Sequence, residues 1–377
     1  MTLARLVAVC AVWGVFWGSW SALLPAVQTQ VGATNADLGL ALTGVPVGAI
    51  PAMALTGRLV RGRERIALAV STALFALAAA GIGLVTTPLA LGLALVGLGA
   101  ASGALDIALN TATGRAERES GGRLFQTVHA AFPVAVIVAA PATGLARSLG
   151  YGPAQVLAVI AVLVLACAAL AMGLPLGRGV QPVADSRPKG AWRHALLLGV
   201  LAAFALIIEN SVEQWSVLLL EDFRSASALL ASAAPAAYMG ALTAGRLTAQ
   251  AFPRLGLRPL YVLAGLGGGG GIVLAGLAPT AWLSLVGFAI TGLALGPLVP
   301  AMLSWAAVGD EEGTLVSAVS TISYTGFVIS PLLVAGLSAA FSLPVALALL
   351  GALGVPLLLG YLTVRSKWGI FKTTRSR

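Results

Sequence analysis

The sequence has 377 residues, of which 59% are apolar and only 9% charged, against roughly 25% charged in an average soluble domain. Its 22 Lys and Arg and 13 Asp and Glu cannot cover a soluble protein of this size, which excludes a soluble enzyme, a disordered chain and a disulfide scaffold. What remains is an all-α polytopic membrane protein, and the net charge of +9 reads as cytoplasmic loops rather than as a surface for nucleic acid.

Twelve apolar runs follow one another, each close to the ~20 residues that cross a bilayer. The first, Leu6–Val27, is longer than a secretory h-region and is read as a membrane helix with no cleavable leader. Next come Leu38–Gly57, Ile66–Val85, Leu89–Thr113, Leu124–Ala146 and Pro153–Leu174. After a polar stretch the runs are Ala195–Leu220, Ala226–Gln250, Pro259–Ala278, Trp282–Val308, Thr314–Ala339 and Pro344–Val364. Backbone groups in lipid must bond within their own segment, so all are expected as helices. Cys10 and Cys167 fall inside such runs and read as buried, unpaired small hydrophobes. Gly267 to Gly271 form no phosphate loop, since no Gly-Lys-Ser/Thr follows; a flexible or closely packed segment is expected there.

Arg and Lys set the orientation. Arg5 precedes the first run; Arg58, Arg61, Arg63 and Arg65 follow the second; Arg115, Arg118 and Arg123 follow the fourth. Arg178, Arg187, Lys189 and Arg193 follow the sixth; Arg246, Arg254 and Arg258 end or follow the eighth; Arg365, Lys367, Lys372, Arg375 and Arg377 form the tail. Only Arg147 and Arg224 fall on the other side. Both termini are therefore expected in the cytoplasm of a bacterial-type inner membrane, with the acidic loop Asp310-Glu311-Glu312 on the same side. The longest polar connection divides the chain into a six-helix bundle at 1–176, a cytoplasmic linker at 177–193, a second bundle at 194–364 and a basic tail at 365–377.

Ionisable groups at membrane depth are costly and point to function. Asp106 in the fourth run and His129 in the fifth lie at similar depth on adjacent antiparallel helices, and Asn110 shares the face of Asp106 at i+4. They form either a structural cluster or a proton or substrate site. Glu209 and Glu213 are one turn apart in the seventh run, flanked by Asn210 and Gln214. Two carboxylates so placed do not both ionise easily, so one is expected to keep a proton, as a coupling group must. For Glu213, nearer the end of its helix, pairing with Arg224 or Arg147 is the competing expectation. Trp13, Trp17 and Trp20 make an aromatic stripe on the first run, either packing or a substrate wall.

The two halves carry matching pieces. Gly57-Arg58-Leu59 ends the second run and Gly245-Arg246-Leu247 the eighth; Pro141-x-x-Gly144 in the fifth has Pro331 and Gly336 as counterparts in the eleventh. Duplicated halves are common among secondary transporters. The 6+6 plan with Arg-rich turns after runs two and eight resembles the major facilitator superfamily over the whole chain. The stretch Gly57 to Arg65 is similar to its G-x-L-a-D-r-x-G-r-r loop, with Arg61 at the acidic position. Gly97-Leu98-Gly99-Ala100-Ala101 fits the small-residue part of a helix-four motif, with Leu93 where proton-coupled members have Arg, and Ala140 to Gly144 is similar to the antiporter motif G-P-x-x-G-G. Leu105 to Asn110, with His129, is similar to a poorly characterised bacterial branch.

The resemblance implies two six-helix halves working by alternating access. Runs three, six, nine and twelve, whose interiors hold no ionisable residue, would be peripheral. Glu209, Asp106, His129 and Glu213 would serve proton coupling. Trp13, Trp17, Asn110, Asn210, Gln214, Trp215, Tyr238, Trp305, Tyr324 and Phe327 would meet substrate. Gly57, Arg58, Arg61, Arg65, Gly245, Arg246, Pro141 and Gly144 would gate. An aromatic cavity with carboxylates suits amphipathic or cationic organic solutes. The expected function is secondary active transport of a small organic solute, proton-coupled and in the export direction. A proton-linked importer, an uncoupled facilitator and a non-transporting receptor or scaffold are the alternatives. A monomer in the lipid bilayer is expected, with protons and a small molecule as partners, no nucleic acid and no cofactor. No metal-ligand spacing or hydrolase elbow suggests an enzyme.

Overall fold

The computed structural model describes residues 2–60, 62–121, 124–176, 192–252, 256–307 and 314–363. Among the described residues every regular element is helical, and 12 helices are long and apolar enough to cross a membrane. They are α1 (Thr2–Val31), α2 (Asn35–Leu59), α3 (Glu64–Ile82), α4 (Pro88–Ser120), α5 (Phe125–Ser148), α6 (Pro153–Met172), α7 (Ala195–Arg224), α8 (Ala228–Ala251), α9 (Leu257–Leu277), α10 (Ala281–Ala306), α11 (Ala318–Ala340) and α12 (Leu343–Gly360). Each overlaps one apolar run. The largest overrun is at the end of α4, where the polar residues after Thr113 stay helical until Gly121 takes φ 70° and its N–H caps Glu117 O. At the other end Pro88 occupies the first turn and the Thr87 hydroxyl accepts from Ala90 N.

The linker segment 177–191, the tail 365–377, Arg61, Arg123, Arg254 and the loop Asp310-Glu311-Glu312 lie outside the described residues. The described residues fall into two compact units. The first takes α1 to α6, the end of α7 with the start of α8 (Glu213–Ala236), and Pro331–Ala340 of α11; the second takes the remainder of the second half.

Within the first unit α1 packs on α5, α2 on α4 and α3 on α6. Glycine makes the α2–α4 crossing close: a Cβ on Gly99 would stand 2.7 Å from the carbonyl carbon of Val45, and one on Gly103 2.7 Å from Ala49 O. Helices in lipid gain little from apolar burial against one another, so small residues that bring backbones together hold them by dispersion. The second unit repeats the scheme six helices on. A Cβ on Gly199 of α7 would meet Ile322 at 2.6 Å, one on Gly292 of α10 would lie 3.1 Å from Leu242 N of α8, and one on Gly265 of α9 would meet Leu358 of α12 at 2.7 Å.

The five-glycine run resolves as close packing. Ala264–Gly268 form a π-helical turn within α9. Cβ atoms on Gly269 and Gly271 would press on Gly351 O at 2.9 Å and Gly287 O at 2.8 Å, in α12 and α10. Only Gly270 faces open space. The proline counterparts Pro141 and Pro331 both lie inside their helices, but their glycines differ. A Cβ on Gly144 would collide with Ser232 at 2.6 Å, whereas Gly336 has nothing within 4 Å.

Candidate functional site

Asp106, Asn110 and His129 form one connected cluster in the first unit. The Asn110 amide donates to Asp106 Oδ1 at 2.8 Å, and Asn110 Oδ1 meets His129 Nε2 at 2.9 Å. The i+4 spacing puts the first two on one face of α4, and the α5 start is held against α4 by Glu117. Its Oε2 accepts from Leu124 N at 2.7 Å and Phe125 N at 2.9 Å. The Phe125 ring stacks on His129 with centroids 5.7 Å apart and planes 9° apart. Depth was legible from the sequence, but the direct contact is not carboxylate to imidazole: the amide stands between them.

The tryptophan stripe of α1 does not act as one surface. Trp13 donates to Ser102 Oγ of α4 at 3.0 Å and meets Phe132 of α5 edge-on at 5.2 Å. Trp17 keeps partial exposure and meets Phe16 edge-on at 5.3 Å. Trp20 is fully buried, stacked on Phe16, and donates to Gln214 Oε1 at 3.3 Å. Trp215 is also fully buried and its indole N–H has no partner among the described residues.

Arg147 was conspicuous as an exception to the basic asymmetry. It forms a two-pronged ion pair with Glu221 near the end of α7, with Nη2 2.9 Å from Oε2, and donates to Ala22 O at 2.7 Å. Sequence reading offered Glu213 as a partner and missed Glu221. Nearby at this end of the unit, Thr143 donates to Ser19 Oγ at 2.8 Å, and Gln28 donates to Asn35, which donates to Ser338 at 3.3 Å.

At the opposite end, the turn after α2 carries an ionic contact that motif reading did not find. Glu64, three positions past Arg61, accepts from Gly62 N at 3.0 Å and pairs with Arg115 of α4 at 2.9 Å. Both side chains are below 10% exposed, and Arg115 also bonds Glu119 at 2.8 Å. The i,i+4 spacing of Arg115 and Glu119 was the available signal. Arg58, expected to gate, is exposed, and a Cβ on Gly57 would meet nothing within 4 Å.

In the second unit the counterpart glycine and arginine are engaged. A Cβ on Gly245 would press on α10 at Leu293 and Pro297, and Arg246 Nε donates to Gly296 O at 3.1 Å, where α10 breaks. The Arg246 charge acts on Glu209, which protein atoms crowd although a little accessible surface remains. The sequence expectation had given Glu209 only Glu213 as a charged neighbour. Asn210 is buried, as is Tyr238; Trp305 is half-buried, and Tyr324 and Phe327 pack ring to ring at 5.5 Å where α11 breaks. Ser211 and Ser330 bond at 2.9 Å, joining α7 to α11. Among the described residues no cluster of His, Cys, Asp and Glu suits a metal ion.

Residues 6–331 match the family model of the Major Facilitator Superfamily. The chain belongs to this superfamily. It is 28% identical over 344 residues to an uncharacterised MFS-type transporter of Yersinia pestis, covering 88% of each chain. It is 25% identical over 357 residues to the membrane protein MosC of Rhizobium meliloti, covering 91% of this chain and 85% of that one. In fold it is similar to the nucleoside transporter NupG (TM-score 0.74, 16% identity, 96% and 99% covered). The same holds for a bacterial homologue of the human lysosomal transporter Spinster (0.78, 14%, 96% and 95%). A D-xylose-proton symporter gives 0.73 at 14% identity, with 97% and 98% covered. The chain is thus an MFS transporter of a small solute, a multi-pass protein of the inner membrane and not an enzyme.

Proposed function

We propose that this MFS member is a proton-coupled secondary transporter that exports an amphipathic or cationic organic solute by alternating access. The observation that carries this reading is the placement of its carboxylates. Asp106 sits well inside α4 and is bonded into a polar cluster, and Glu209 sits inside α7 under the charge of Arg246. A carboxylate at that depth exchanges a proton only when its surroundings open to water, which is the requirement for coupling. Each unit also carries aromatic groups, Trp13, Trp17 and Phe132 in one and Tyr324 and Phe327 in the other, and such rings fit a solute with an apolar body and a positive centre. Protein reconstituted in proteoliposomes with an imposed proton gradient, and a panel of organic cations, tests it. The expected result is movement of a cation against its own gradient only while the proton gradient lasts. Equal movement with and without the gradient would leave an uncoupled facilitator.

The division into bundles at 1–176 and 194–364, and both termini in the cytoplasm, belong to the same proposal. The basic residues support it, since all but Arg147 and Arg224 are assigned to one side. Single cysteines introduced at Gly62, Gly121 and Ser186 are expected to react with an impermeant maleimide only from the cytoplasm, and one at Thr34 only from outside. Labelling of Gly121→Cys from the periplasm would overturn the twelve-span orientation.

A further inference from the structure

The order Asp106, Asn110, His129 constrains more than position. An ionised carboxylate can only accept, so the group of Asn110 that faces it must be the NH2, as observed at 2.8 Å. That leaves the amide oxygen toward His129, 2.9 Å from Nε2. A carbonyl oxygen also only accepts, so Nε2 must carry a hydrogen. With Asp106 ionised, the neutral His129 ring is therefore held as the Nε2–H tautomer, with Nδ1 as its free acceptor.

We propose that Asn110 is a positioning residue through which the ionisation of Asp106 sets which ring nitrogen of His129 carries the proton. Once Asp106 takes one proton from water, its hydroxyl donates and its best partner is the amide oxygen. Asn110 then turns its amide over, and the NH2 points at His129 Nε2. That nitrogen must now accept, so its proton leaves to water and Nδ1 takes one from water. The ring gains none, and the three groups together gain one proton, held on Asp106. The amide does not conduct the proton; it reports the state of the carboxylate. The consequence is a change on the far side of His129, where Nδ1 turns from acceptor to donor.

The neighbourhood leaves the switch few competitors. The ring is held by the parallel stack on Phe125, so its plane is set independently of the bond at Nε2. From α1, Cys10 is the titratable side chain close enough to feel the Asp106 charge. From Gly44 on, α2 carries only Arg58, which is exposed near its end, and α3 has none beyond Arg65. On α4 the Arg118 guanidinium lies near the Phe125 ring, both 3.4 Å from where a Cβ on Gly114 would stand. Arg115 lies farther along α4 and is held by Glu64 and Glu119.

The inference rests on the proposed protonation of Asp106, and it is read without substrate or transport. The chain has 2 histidines, so His194→Gln leaves His129 as the single ring to observe. Ring-15N histidine in that protein, in lipid bilayers, reports the tautomer by NMR as pH is lowered. The expected result is neutral Nε2–H at high pH, giving way to neutral Nδ1–H before or alongside imidazolium. Asn110→Leu and Asn110→Ala should each lose the pH dependence of the tautomer. A neutral ring that stays in one tautomer throughout the parent titration overturns the proposal, and so does a switch that survives in either folded variant. If neither variant folds, the parent titration decides alone. Asp106→Asn is assayed separately for gradient-driven transport. If it transports like the parent while the tautomer switches in the protein that keeps Asp106, the coupling role fails and the bridge stands; a tautomer that still switches in Asp106→Asn itself overturns the bridge.

Discussion

Glu209→Gln is expected to abolish gradient-driven accumulation while substrate exchange across the membrane persists. A proton crossing the membrane potential supplies about 2.3 kcal/mol per 100 mV, roughly a 50-fold ratio for an uncharged solute exchanged one for one; for a monovalent cation the exchange is electroneutral and the pH difference drives it, about tenfold per pH unit. A glutamine has the shape of the protonated acid but cannot release a proton. The ratio should therefore fall from that scale to about 1, measured as counterflow and net uptake in the same proteoliposomes. Arg246 gives the substitution its physical meaning. Its charge acts on Glu209, and its Nε is separately held by Gly296 O, so the arginine keeps an anchor when the carboxylate is neutralised. Protonation of Glu209 would remove the attraction between α7 and the end of α8, and both groups lie in the second unit. Glu213→Gln, one turn along α7, should have a milder effect. If Glu209→Gln accumulates solute like the parent, Glu209 is not the coupling group, and Asp106 takes its place in the proposal.

Arg115→Leu is expected to be the most destabilising single change among the charged residues. Glu64 and Arg115 are buried against each other at 2.9 Å, and Glu64 also accepts from Gly62 N. Removing one partner leaves the other charge short of its counterion, at a cost of about 1–3 kcal/mol. The loss should appear as a lowered midpoint of thermal unfolding in detergent. Arg115→Lys should recover only part of it, since an ammonium cannot reach Glu64 and Glu119 through two nitrogens of one rigid fork. The double change Glu64→Leu with Arg115→Leu should cost less than the sum of the two, because it leaves no stranded charge at that contact. An unshifted midpoint for Arg115→Leu would mean that this ion pair contributes nothing to holding α4 against the α2–α3 turn.

The closeness of Asp106 and His129 and the twelve helices were readable from the chain because both follow from one-dimensional quantities. Helix rise converts residue number into depth, and the length of an apolar run compared with bilayer thickness fixes the count of spans. Partners across helices follow no such rule. Glu221 rather than Glu213 meets Arg147, because which acid reaches an arginine depends on how α5 and the end of α7 pack. Glu64 carries an ionic contact with Arg115 of α4, which the loop motif, with Arg61 at its acidic position, gives no reason to expect. The paired motifs Gly57-Arg58 and Gly245-Arg246 read as equivalent, yet only the second is packed and bonded, since Gly57 has no neighbour to press on and Gly245 has α10.

By itself the sequence determined the all-helical membrane class, the spans, the charge asymmetry and the buried carboxylates. These are set by hydrophobicity and periodicity, which act along the chain. Tertiary structure alone decided that an amide separates Asp106 from His129, that Arg246 lies close enough for its charge to act on Glu209, and that four of five consecutive glycines are a packing surface. Each of these depends on the rotation of one helix against another. In lipid that rotation is fixed by close contacts between small residues and by a few hydrogen bonds, which leave no periodic trace in a single sequence.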